Sequence, residues 1–325
     1  MHPAFSVIFL TTLIGVGQGL FLAMYTGESY AVVKLLPAQQ HDFYVWGSVL
    51  SVAFLVGGLI ASVFHLGHPE RAWRAAAMWR TSWLSREVIM LPAVIGAIAI
   101  YGLVHAMGWD LKTFGFETNV RGDLTLLIGL GGVLVTFLLF LCTGMIYACI
   151  KFLQEWATPL TVINYTLLGI ASGFTFAAGF ASYMAPELVN FYAAWAIAIT
   201  VAAFVTRAAS LVRNAKIKAK SSLKTAIGVR DNRIQQRSMG FMGGSFNTRE
   251  YFHGASVLFM KSIKWIFLVL VFAAPLIMLS MAISQGSTGL LIAAFVVQYI
   301  GLIAERWFFF AQANHPQNLY YQTVG

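Results

Sequence analysis

Long, uninterrupted apolar runs separated by short polar turns set the pattern of this chain. A helix that crosses a bilayer needs about 20 apolar residues. Eight runs reach that length, at roughly 4–26, 43–64, 84–106, 124–150, 158–183, 190–212, 262–284 and 288–308. None alternates with a period of two, and all are far too long for barrel strands. The pattern predicts an all-α bundle of eight transmembrane helices, forming a single membrane domain over residues 1–325. Glycines recur within the runs, from Gly15 to Gly19 and between Ile128 and Gly132. Small residues of this kind let helices approach closely in lipid.

Composition supports the same class. Hydrophobic residues make up 59% of the chain and charged residues only 10%, whereas a soluble domain carries about a quarter charged residues. The net charge of +9 does not indicate nucleic acid, because the lysines and arginines border apolar runs. They read instead as topology signals. With eight spans both termini share one face, which also takes the turn after the second run, Lys151 and the long segment after the sixth. Of the 21 basic residues, Lys34, Lys112 and Arg121 alone fall on the other face. The positive-inside rule therefore puts both termini in the cytoplasm, for a multi-pass protein of the cytoplasmic (inner) membrane. Trp46, Trp83, Trp156 and Trp265 flank spans as interfacial anchors. Cys142 and Cys149 would lie about 10 Å apart on one helix, too far for a disulfide. The start, Met1 to Pro3, lacks the basic region of a cleavable signal peptide.

Charge inside a span is the usual pointer to function, because it is costly to place there. On the run boundaries above, no Asp, Glu or Lys falls in the middle of any span. Arg207 is placed to snorkel toward the cytoplasmic end, and Glu305 and Arg306 to pair with each other or with a partner. A proton-coupled transporter would show a midplane carboxylate or paired broken helices. A diheme protein would need axial histidines inside its spans. All seven histidines lie at or beyond run ends, so a transmembrane haem pair is not expected, while one interfacial haem stays open.

One polar stretch stands out: His65 to Glu87, HLGHPERAWRAAAMWRTSWLSRE. Gly67 is a candidate helix stop and Pro69 a candidate start of a short helix. Glu70 and Arg74 are spaced i, i+4, while Arg71 and Arg74 share a face. Ser82 or Ser85 would cap the third span and place Glu87 near its first turn. Taken singly, these residues complement helix dipoles or satisfy the charge bias. Taken together, they bring an imidazole, a carboxylate and guanidinium groups to the membrane surface. His and Glu at that boundary can pass protons to or from a quinone, and arginine can stabilise its anionic form. The candidate quinone and proton-relay residues are His65, Arg71 and Glu87, with His68, Arg74, Trp83 and Arg86 as further candidates.

The other polar segment, 214–256, reads as a cytoplasmic loop between the sixth and seventh helices, not as a separate domain. Lys216, Lys218, Lys220 and Lys224 suit anionic lipid headgroups. The later part, with its Gly-Phe-Met-Gly-Gly turn and its aromatic residues, suits an ordered loop that docks a protein partner. The docking candidates are Arg237, Phe241, Phe246 and Arg249.

Four separated segments carry a family resemblance: MHPAFSVIFLTTLIGVGQGLF, HLGHPERAWRA with SWLSRE, GFMGGSFNTREYFHG and ERWFFFAQANHPQNLYY. Across essentially its full length the chain resembles the membrane anchor subunits of the dimethyl sulfoxide reductase family. The resemblance implies eight helices that hold a molybdopterin catalytic subunit and a four-cluster iron–sulfur subunit at the membrane. It implies exchange of electrons with menaquinone or ubiquinone, without haem. By motif it assigns the quinone site to His65 and Glu87, with Arg71 in the matching Pro-x-Arg-Ala position. It also puts the iron–sulfur partner on the face bearing the hairpin. A cytoplasmic hairpin favours the related sulfite dehydrogenases, which deliver electrons from sulfite to quinone. The alternatives are a quinol-oxidising anchor of a dimethyl sulfoxide reductase-type complex, and a passive anchor or transporter without quinone chemistry.

Overall fold

The computed structural model describes residues 4–115, 123–218 and 257–313, together with Ser222, Lys224, Thr225, Gly228 and Asp231. Eight helices among these residues are long and apolar enough to cross a membrane. They are α1 (Phe5–Val32), α2 (His41–Val63), α3 (Trp83–Met107), α4 (Asp123–Ala148), α5 (Pro159–Met184), α6 (Val189–Ala215), α7 and α8 (Thr288–Ala311). Helix α7 runs as Val257–Leu268, a π-helical segment Val269–Ala273, and Ala274–Gln285. No strand occurs among the described residues.

The ends follow from local chemistry. Ser82 Oγ accepts from Ser85 N at 3.4 Å and starts α3. Thr158 Oγ1 accepts from Leu160 N at 3.4 Å, with Pro159 in the first helical position of α5, where its missing N–H costs nothing. Helix α3 stops at Gly108, whose φ of 62° carries the left-handed turn that lets its N–H and that of Trp109 bond back to His105 O and Val104 O. In α7, Pro275 has no N–H to give Val271 O, and its ring crowds that carbonyl. The π segment absorbs the crowding, and Gln298 Nε2 of α8 donates to Val271 O at 3.4 Å.

Successive helices pack as neighbours, while α1 and α5 lie side by side through the middle, with α4 and α8 against both. Their contact depends on glycine. A Cβ on Gly173 would run into the Gly19 carbonyl carbon, so the two backbones meet directly. A core of Leu20, Phe21, Met24, Leu55, Ile98 and Tyr101 surrounds this seam.

Two expectations change. Helix α1 continues past 26 to Val32 because its polar residues there are satisfied. Thr26 Oγ1 donates to Leu22 O at 2.7 Å and Ser29 Oγ to Tyr25 O at 2.8 Å. Glu28 thus lies near the end of a spanning helix, 6% exposed, beyond the point where the apolar run was expected to finish. Glu305 of α8 is likewise fully buried. Arg207 does not snorkel: α6 extends to Ala215, which leaves Arg207 about 12 Å from the helix end. Its side chain turns inward to Glu305 at 2.7 Å.

Candidate functional site

The stretch from His65 to Glu87 forms a hairpin between α2 and α3. Helix α2 ends at Val63, and Gly67 is not in the left-handed conformation, so the expected glycine stop is absent. Phe64 caps the helix instead, with its N–H turned back onto Ala61 O. Pro69 does start a short helix, but Pro69–Met78 is 3₁₀, not α. At three residues per turn, positions i and i+4 diverge while i and i+3 eclipse. Glu70 therefore pairs with His68 at 3.0 Å and with Arg71 at 3.6 Å. It makes no ion pair with Arg74, whose guanidinium lies 5.5 Å from the Trp73 ring centre. Arg71 and Arg74 remain on one face of the turn, and both are exposed.

Arg86 ties the hairpin back on itself. Its Nε donates to Trp79 O at 2.9 Å and its Nη2 to Arg80 O at 2.8 Å, while the guanidinium stacks 4.2 Å over Trp83. Trp73, Trp79, Met78 and Phe64 stay largely exposed along the hairpin. Such an apolar fringe beside four arginines suits a segment lying at the membrane surface. His65 stands just beyond α2. Its ring is accessible, yet nearby atoms desolvate it enough to hold its pKa below the usual histidine value. It is therefore neutral near pH 7 and able to accept a proton.

Glu87 sits in the second turn of α3 and is 8% exposed. Thr143 Oγ1 of α4 donates to its Oε1 at 2.5 Å. Among the described residues no hydrogen bond or ion pair joins His65, Arg71 and Glu87 to one another. They occupy adjoining helix ends and the turn between them, with Glu87 beneath the surface and the other two upon it. That leaves a step from the accessible imidazole to the sheltered carboxylate.

Below Glu87 the structure holds polar groups that sequence reasoning missed. Thr143 also lines a cavity of about 20 Å³, together with Thr11, Thr12, Gln18, Tyr165, Ser172 and Arg306. Such a space admits about one water. Two buried polar atoms at it, Tyr165 Oη and Arg306 Nη1, lack a hydrogen-bond partner among the described residues. Arg306 packs 3.9 Å from the Tyr165 ring centre and contacts Glu305 Oε2 at 2.5 Å, while Arg207 contacts Glu305 Oε1 at 2.7 Å. One carboxylate thus lies between two guanidiniums within the bundle, each of which would otherwise be a costly unpaired charge. The expected Glu305–Arg306 pair is thus present, and Arg207 joins it. The residue order Glu-Arg near the end of a span was the available signal. Its partner on α6 was invisible without the packing.

Of the remaining candidates, Arg237, Phe241, Phe246 and Arg249 lie outside the described residues, as does Lys220 of the basic run.

Comparison with known proteins agrees with the sequence pattern. The family model for the DMSO reductase anchor subunit (DmsC) matches residues 1–321. The chain is also 54% identical over 324 residues to a subunit of the sulfite dehydrogenase of Allochromatium vinosum, covering all of both chains. A match over nearly every residue, on eight spanning helices, leaves one assignment: the chain belongs to the DMSO reductase anchor subunit family of multi-pass membrane proteins.

Proposed function

We propose that this chain is the quinone-reactive anchor of a sulfite-oxidising molybdoenzyme complex. Electrons from sulfite, oxidised on a molybdopterin subunit, pass through a four-cluster iron–sulfur subunit seated on the hairpin to a quinone beside His65, Arg71 and Glu87. The likeness to a sulfite dehydrogenase subunit supports the substrate. The observation that carries the site is Glu87, a buried carboxylate held by Thr143 directly beneath an arginine-rich surface hairpin.

Reduction of a quinone takes up two protons, and the residues divide that task. Neutral His65 exchanges protons with water at the surface. Glu87, sheltered and oriented by the Thr143 hydroxyl, presents its free oxygen to a quinone carbonyl and moves a proton there. Arg71, on the exposed face of the 3₁₀ turn, supplies positive charge where the bound ring becomes electron-rich. Arg86 holds the return of the hairpin, and so the spacing between Arg71 and Glu87. His68 pairs with Glu70 and sets the local charge of the turn. Trp83 provides the flat apolar surface on which Arg86 rests. Positive-inside charge supports a cytoplasmic hairpin.

The test uses membranes containing the assembled complex. Glu87→Gln and His65→Ala should each lower sulfite-to-quinone activity by about a hundredfold, within the range for loss of a proton-transfer group. Sulfite oxidation with an artificial dye should persist, because it bypasses the anchor. Unchanged quinone activity in both variants contradicts the site. A chain that purifies with uptake activity and with no iron–sulfur partner contradicts the function.

A further inference from the structure

At the end of the bundle opposite the hairpin, α1, α2, α3 and α4 close around Glu28. Tyr101 Oη donates to its Oε2 at 2.6 Å, and Thr125 Oγ1 donates to its Oε1. His105 Nε2 stands 3.5 Å from Oε1, and that nitrogen has no hydrogen-bond partner among the described residues. The His105 ring is buried, held between Tyr44, stacked at 4.5 Å, and Tyr101, edge-on at 4.7 Å. Its other nitrogen, Nδ1, lies 3.2 Å from Nδ1 of His41. His41 is the first residue of α2 and is exposed.

Two features separate this cluster from a merely satisfied carboxylate. Among the described residues no lysine or arginine pairs with Glu28, whereas Glu305 is clamped by two guanidiniums. The group beside Glu28 that can carry a proton is the His105 imidazole, 3.5 Å from Oε1. Second, two imidazole nitrogens 3.2 Å apart cannot both donate or both accept. One ring must give a hydrogen to the other, which creates an ordered path from the surface to Oε1. The other titratable groups facing the cluster are Tyr25 of α1, Tyr44, Tyr101 and, from α6, Tyr192, whose hydroxyl packs on Gly27. Asp42, Lys34 and Asp110 at the same end are exposed.

We propose that His41, His105 and Glu28 form a proton relay joining a buried carboxylate to the membrane face opposite the hairpin. Water protonates His41, and His41 Nδ1–H passes its proton to His105 Nδ1. The Nε2 proton of His105 moves to Glu28 Oε1, leaving His105 as its other neutral tautomer. One proton leaves solvent and one O–H bond forms on Glu28; no electrons move. Glu28 is the inner end of the path. The next fully buried polar side chain on α1 is Gln18, ten residues and about 15 Å away, and it is engaged with Thr136 O at 3.0 Å.

Infrared spectroscopy of the full chain in lipid nanodiscs, after a rapid drop in pH, reads the protonation of Glu28 directly. Wild type should gain a carboxylic-acid band that Glu28→Gln lacks. His41→Gln, at an exposed position where folding is preserved, should slow the rise of that band at least about tenfold. Added imidazole should restore the rate, an effect that a packing role for His41 would not produce. A band that is unchanged in Glu28→Gln, or a His41→Gln rate equal to wild type, overturns the relay.

Discussion

At the scale of single residues, the three buried carboxylates among the described residues are treated differently. Glu305 lies between Arg207 and Arg306, Glu87 has a single hydroxyl partner and adjoins a small cavity, and Glu28 meets a histidine that leads outward. The first arrangement is that of a structural ion cluster, and the other two are the places proposed above to move protons. If Glu305 is structural, Glu305→Ala should strand two buried guanidiniums and cost about 3–5 kcal/mol. Thermal unfolding of the purified complex should show a lower Tm while quinone activity per folded molecule is kept. Loss of activity at unchanged Tm would instead place Glu305 in the chemistry. His65 and Glu87 were legible in the sequence because both fall where an apolar run meets a polar turn. Arg207 was misread because its environment is set by α8, almost a hundred residues away in sequence. Glu28 was missed because the apolar run looked finished at 26, although no proline breaks the helix before Pro37.

At the scale of elements, hydropathy alone located all eight spans, since the bilayer imposes a length that the sequence must meet. Helix ends were less legible. They depend on hydroxyls that bond back to their own helix, as in α1, and on tertiary acceptors such as Val271 O. The hairpin shows the same division: Pro69 and Ser82 marked where its parts begin, but nothing in the spacing distinguished a 3₁₀ turn from an α turn. The glycine seam between α1 and α5 gives a sharp prediction at this scale. At Gly173 a side chain meets the Gly19 backbone and cannot be accommodated by a rotamer change. Gly173→Leu should therefore abolish accumulation of folded chain, seen by size-exclusion profile in detergent. Gly67→Ala, where a Cβ meets nothing within 4 Å, should leave it unaffected.

At the scale of the whole molecule, two polar clusters sit at opposite ends of one apolar bundle. The hairpin end holds Glu87, the cavity and the Arg207–Glu305–Arg306 group; the other end holds Glu28, His105 and His41. The family of the chain was readable from four motifs, but the separation of the two ends was not, because it requires knowing which helices adjoin. The proposed quinone chemistry belongs to the hairpin end, and everything else in the functional reading depends on that placement. A structure of the intact complex with quinone bound would decide it. The quinone ring should lie at the hairpin with a carbonyl within hydrogen-bond reach of Glu87 or His65, and the iron–sulfur partner should sit over Arg71 and Arg74. A quinone seated beside Glu28 at the opposite end, or a hairpin with no partner upon it, would contradict that placement.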